Sequence, residues 1–205
     1  MLKRTVIKIC IVSILILTAA TAWAGQSASI IPTTDAKGRP PKVVVVEQPH
    51  GVMPFWNEAV QKPKTLVLIS SSIGCVPIDK DAFGNIMAEV GKSGWQPVLD
   101  PDYPAPRLYP VNASNYLTVA YLSGMIDRIV WVPPIKESLN GFSAETYKAF
   151  LKQIGMSDKD LDTVKLEGKV LKGSFNGIPL TIASLKDIPK TKKDVLLLID
   201  LPFLT

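Results

Sequence analysis

The sequence predicts an α/β fold with a mostly parallel sheet and a small α+β insertion. Two observations lead there. Segments 43–48, 65–70, 127–132 and 194–200 are short and almost continuously apolar, as strands buried on both faces must be. Between them lie stretches with helical spacing or helix-start signals. The resulting order is strand, helix, strand, helix, strand, insertion, strand, which is that of a layered α/β domain.

The chain opens with the three parts of a secretory signal peptide. Lys3, Arg4 and Lys8 are basic, Ile9 to Leu17 is apolar apart from Ser13, and Ala22-Trp23-Ala24 offers small residues for cleavage. The apolar run is shorter than the roughly 20 residues that span a bilayer. Residues 1–24 are therefore expected to be removed, with only transient membrane contact, and a bacterial periplasmic or secreted location follows. Cleavage leaves 181 residues and lowers the net charge from +5 to +2. With no basic stripe interleaved with aromatics, nucleic acid is not an expected partner. Cys10 leaves with the signal, so Cys75 has no internal disulfide partner and reads as a small buried hydrophobe. His50 is the one histidine of the chain.

Residues 25–42 are small, polar and proline-containing, and read as a flexible lead-in to a single domain over 43–205. Lys42 to Glu47, with four consecutive valines, opens that domain as a strand. Met53 to Gln61 is a helix with Pro54 in its first turn. Thr65 to Ile69 is the second strand and runs into Ser70-Ser71-Ser72-Ile73-Gly74-Cys75. Residues 96–111 hold five prolines and are expected as irregular coil. Ser114 to Met125 is a buried helix that Asn112 or Ser114 caps. Arg128 to Val132 is a strand stopped by Pro133-Pro134.

Segment 135–192 has a different texture and is expected as an insertion or peripheral subdomain. Tyr147, Phe150, Leu151 and Ile154 mark an amphipathic helix over 143–154. Ser157 caps a short helix over 158–163. Val170 to Phe175 and Ile178 to Ser184 flank Asn176-Gly177, a two-residue hairpin turn expected outside the parallel core. Asp194 to Leu201 is the last strand.

Three strand ends carry the residue types that chemistry needs: His50, the Ser70–Ser72 run and Asp200. In open α/β sheets ligands bind beyond the carboxyl ends of the strands. Each also has a plainer reading. His50 between Pro49 and Gly51 suits a turn, the serines suit a polar loop, and Asp200 suits a cap on a backbone turn. A carboxylate in an apolar strand nonetheless has to be hydrogen-bonded, paired or functional.

Three blocks, KVVVVEQPHGVMPFWNEAVQKPKTLVLI, LSGMIDRIVWVPP and DVLLLIDLPFLT, resemble an uncharacterised bacterial family with the arginase (ureohydrolase) fold, to which peptide arginases are assigned. Phe55-Trp56 and Trp131-Val132-Pro133 are the most specific matches. The resemblance implies a three-layer, arginase-like fold and a two-manganese site. That site takes a histidine after the first strand, Asp-x-His-x-Asp after the second and Asp-x-Asp on a late strand. Here those positions fall on His50, on Ser70, Ser72 and Gly74, and on Asp200 and Pro202. Only His50 and Asp200 remain as residual metal candidates. One carboxylate does not offset two divalent cations, serine is a weak ligand, and glycine and proline offer no side-chain donor. The binuclear manganese is therefore expected to be lost, and with it the metal-polarised water that attacks a guanidinium carbon.

The expected function is an exported, non-catalytic binding or scaffolding protein whose partner is a small molecule or a protein. The rival is a hydrolase of amidine or amide C–N bonds with an unorthodox site around the candidate catalytic residues His50, Ser70, Ser72 and Asp200. No Gly-x-Ser-x-Gly surrounds those serines. A structural protein of the cell envelope is the third expectation.

Overall fold

Apolar runs become strands, and the parallel core forms as their pattern requires. The computed structural model describes residues 29–32, 42–100, 110–134, 144–190 and 195–200. The expected signal peptide and the tail beyond Asp200 lie outside the described residues. No helix among the described residues is long and apolar enough to cross a membrane.

Strand β3 (Lys64–Ile69) is central. It pairs parallel with β4 (Ile126–Val132) on one side and with β8 (Val195–Ile199) on the other. The hairpin of β6 (Val170–Phe175) and β7 (Ile178–Ile182) turns at Asn176-Gly177. Both turn residues have positive φ, 51° and 80°, as a tight primed turn demands. Strand β7 then pairs parallel with β4, and β5 (Lys165–Glu167) closes the far edge against β6. The six-stranded order is β5-β6-β7-β4-β3-β8. The hairpin thus extends the parallel sheet, where the sequence placed it outside. Its inner face is apolar at Ile178, Leu180 and Ile182, so docking on β4 buries more surface than standing free.

The first expected strand departs further. Strand β2 (Lys42–Val45) is extended, but it pairs antiparallel with β1 (Ser29–Pro32) in a separate two-stranded ribbon. Both edges of β3 are already taken by β4 and β8. Ile30 and Ile31, inside the stretch expected as a flexible lead-in, supply the register partners of Val44 and Val43.

Helix α1 (Met53–Ala59) follows a 3-10 turn over Pro49–Val52 and carries Pro54 in its first turn. Helix α2 (Lys80–Ser93), which the sequence reading leaves unassigned, is capped by Asp79. That carboxylate accepts from the Ala82 N–H at 2.7 Å. A short helix α3 (Gln96–Leu99) stands where coil was expected, with Pro97 in its first turn, where a missing N–H costs nothing. Helix α4 (Tyr116–Leu122) begins later than expected. Asn112 binds the N–H and hydroxyl of Ser114 in a turn before the helix, so neither Asn112 nor Ser114 is its cap. Helices α5 (Ala144–Gln153) and α6 (Asp158–Thr163) lie as expected, with Ser157 accepting from the Asp160 N–H.

Register decides the layering. Leu66, Ile129 and Leu180 are cross-strand neighbours, as are Leu68, Trp131 and Ile182, while Leu196 and Leu198 pair with Leu66 and Leu68. All these side chains share one face and one core with residues of all six described α-helices. The opposite face holds a small separate cluster of Val67, Val130 and Ala183, flanked by Val170 and Ile188. Among the described residues the helices therefore form one layer, and the three-layer expectation becomes two. Strands apolar on both faces signal burial, but not what buries them.

Candidate functional site

Parallel pairing brings the carboxyl ends of β3 and β8 side by side. The Asp200 N–H donates to the Ile69 carbonyl at 2.8 Å and continues the ladder one residue past β8. This holds the Asp200 side chain beside Ser70, whose hydroxyl donates to Oδ2 of Asp200 at 3.1 Å. The Ser70 oxygen in turn accepts from the Ser72 N–H at 3.2 Å. The backbone of Ser70 is fixed as well: its N–H donates to the Val132 carbonyl, and its carbonyl accepts from Nε1 of the buried Trp131 at 2.9 Å. Ser70 is buried, and every polar group it owns is engaged.

These residues line a cleft of about 420 Å³. The segment after β2 forms one wall, through Val46 and Glu47. The strand ends form the floor, with Ser70, Ser72 and Asp200. Tyr116, at the start of α4, closes the back. Gly74 makes that closure possible: a β-carbon there would sit 2.5 Å from Cε1 of Tyr116 and closer still to the Ala113 carbonyl. Trp56 of α1 packs on the Tyr116 ring at a centroid distance of 6.5 Å. Burial pushes the Tyr116 phenol up, and the nearby Asp200 carboxylate adds to it, so the phenol stays protonated as a hydrogen-bond donor.

Ser70, Ser72 and Asp200 line one cleft, and His50 directly follows Pro49, which lines it too; the His50 side chain does not. It is 8 % exposed in the 3-10 turn, its Nδ1 has no hydrogen-bond partner, and burial lowers its pKa. In a Ser–His–Asp triad an imidazole is held against the serine hydroxyl; the Ser70 hydroxyl donates instead to the Asp200 carboxylate. Glu47 and Tyr116 join the site without having been singled out in the sequence. Tyr116 carries no local signal. Glu47 sits at the end of an apolar run, which marks it only as a strand terminus.

At the positions where the resemblance expects metal ligands, the side-chain donors that line the cleft are the Asp200 carboxylate and the Ser70 and Ser72 hydroxyls. Among the described residues no three His, Cys, Asp or Glu side chains form a metal-binding group. No family model, no curated protein and no solved structure matches the chain. The chemistry of the site is therefore read from its walls. The residues that line the cleft include two with carboxylates, Glu47 and Asp200, and three with hydroxyls, Ser70, Ser72 and Tyr116, and the others are apolar. Among the described residues no Lys, Arg or His lines it.

Proposed function

We propose that the chain is an exported binding protein that takes a small organic cation, an amine with an apolar body, in the cleft at the ends of β3 and β8. The observation that carries this reading is the Ser70–Asp200 hydrogen bond in a cleft that, among the described residues, no basic side chain lines. An ammonium group entering there gains two carboxylates and hydroxyl acceptors, while its apolar part meets Val45, Val46 and Leu198. The resemblance to arginase-like proteins gives the reading a second support. Ser70, Ser72 and Asp200 occupy positions where that layout carries metal ligands, and they do meet at one sheet edge. The cleft is then a vacated metal site turned to binding, and not a centre for guanidinium hydrolysis. The basic, apolar and small-residue order of residues 1–24 supports export.

A thermal-shift panel tests the reading. Primary alkylamines, alkyl carboxylates and neutral alcohols of equal chain length are compared on the same protein. Stabilisation by the amines alone supports it. Stabilisation by the carboxylates, or urea release from arginine-containing peptides on adding manganese, contradicts it.

A further inference from the structure

Asn176 meets two demands at once. As the first turn residue between β6 and β7 it takes a φ of 51°, which asparagine tolerates. Its backbone N–H donates to Oδ2 of Asp160 at 3.2 Å, and the Ser157 hydroxyl donates to the same oxygen at 2.8 Å. Asp160 is buried in the first turn of α6, so the hairpin tip is pinned to that helix. The side-chain amide makes a different connection. Its Nδ2 donates to the Cys75 carbonyl at 2.7 Å, across 101 positions of sequence. The loop over 74–76 that receives this bond seats the start of α4. The Gly74 carbonyl accepts at 3.0 Å from the Leu117 N–H, one of the first-turn donors that a helix leaves open. The Val76 N–H donates to the Ser114 carbonyl at 2.8 Å, and the Val76 carbonyl accepts from the Thr118 hydroxyl at 2.9 Å. Gly74 lies against the Tyr116 ring, which is the back of the cleft.

We propose that Asn176 is a positioning residue for the cleft: its amide holds the loop over 74–76 against the start of α4 and so fixes where Tyr116 stands. Asn176 does not line the cleft itself. It acts through the Cys75 carbonyl, and α6 and the hairpin thereby set the shape of a site they do not touch. A wall held in place before the ligand arrives costs no ordering when it binds, so the tie should show in affinity. Without the amide donor the Cys75 carbonyl loses its partner in a place where Cys75 is fully buried, and the loop gains a reason to open toward water. The tie is argued from the hydrogen bonds alone, while its effect on ligand binding rests on the reading of the cleft as an amine site.

Alkylation of Cys75 by iodoacetamide, read by peptide mass so that Cys10 is counted apart, tests the tie, and titration with hexylamine tests its consequence. Asn176→Gly keeps a residue at home with positive φ and removes the amide, and Asn176→Asp keeps the size and replaces the donor with an acceptor. Ser174→Ala is the control, because it loosens the same hairpin from Asp160 and leaves the amide in place. Both Asn176 variants should label at Cys75 at least about tenfold faster than the parent, at a rate unmoved by urea below the unfolding transition, as a local opening requires. Ser174→Ala should label at the parent's rate. Hexylamine should bind the Asn176 variants about threefold or more weakly and Ser174→Ala as it binds the parent. Parental labelling in both Asn176 variants, labelling that rises with urea from the outset, or equal acceleration in Ser174→Ala overturns the tie. Faster labelling with unchanged hexylamine affinity overturns the positioning role. A parent that does not bind hexylamine overturns the amine reading of the cleft instead, and the labelling rates still decide the tie.

Discussion

The hydroxyl of Ser70 donates to the carboxylate of Asp200 at 3.1 Å, although the two residues are 130 positions apart in the chain. The contact exists because β3 and β8 run parallel with Thr65 to Ile69 in register with Val195 to Ile199. Each strand then ends in the same plane, and the first polar residue after each meets the other.

Replacing Ser70 with Ala removes that bond and strips the Ser72 N–H of its acceptor. A hydrogen bond to a charged group in a half-buried place supports a loss of about 1–2 kcal/mol. Urea denaturation should show a lower midpoint with an unchanged slope. Stability equal to the parent's contradicts the role given to this pair.

Trp131→Phe deletes the indole N–H that serves the buried Ser70 carbonyl and shrinks a ring stacked on Phe150 at 6.1 Å. An orphaned carbonyl together with lost volume should cost about 2–4 kcal/mol. The same denaturation measurement reads it, and a loss below that of Ser70→Ala is the contrary result.

Two glycines should respond in opposite directions. Gly74→Ala forces a β-carbon against Tyr116 and the Ala113 carbonyl, with an expected cost of about 1–3 kcal/mol and a displaced cleft wall. Gly84 lies in the body of α2, and a methyl group added there would meet nothing within 4 Å. Gly84→Ala should therefore stabilise by about 0.5–1 kcal/mol. Thermal melts of the two variants give the comparison.

Burial lowers the pKa of His50 from the ordinary 6.5. The unfolded chain therefore takes up this proton at a higher pH than the folded one. Between the two pKa values the unfolded state holds more protons, so the His50 contribution to stability is full above about pH 6.5 and declines as pH falls through that window. In the His50→Asn variant this part of the decline should vanish, and urea midpoints from pH 7.5 down to pH 5.5 measure it. Parallel pH curves for the two proteins are the contrary outcome.

Much of the parallel core was legible. The apolar runs at 65–69, 127–132 and 195–199 need no partner information to be recognised as buried strands, and the rule that ligand sites gather at strand ends pointed to Ser70 and Asp200. The valine run before Glu47 marked a strand too, but hydrophobicity does not choose a neighbour, and Ile30-Ile31 captured it. Helix α2 carries its signals openly: Asp79 as cap, then Phe83, Ile86, Met87 and Val90 at helical spacing. Gly84 and Gly91 dilute them. The one-sided helix layer was not legible, because a strand apolar on both faces is the same string whether a helix or a short loop covers it. Glu47 and Tyr116 reach the cleft through tertiary packing alone, which no local pattern encodes.

The claim that the cleft receives an organic cation against Asp200 is tested most directly by isothermal titration of hexylamine into the protein and into Asp200→Asn. The account predicts one site per chain in the parent and an affinity at least about tenfold weaker in the variant, since the carboxylate that meets the ammonium is gone. Equal affinity in the two proteins, or tighter binding of hexanoate than of hexylamine, contradicts it.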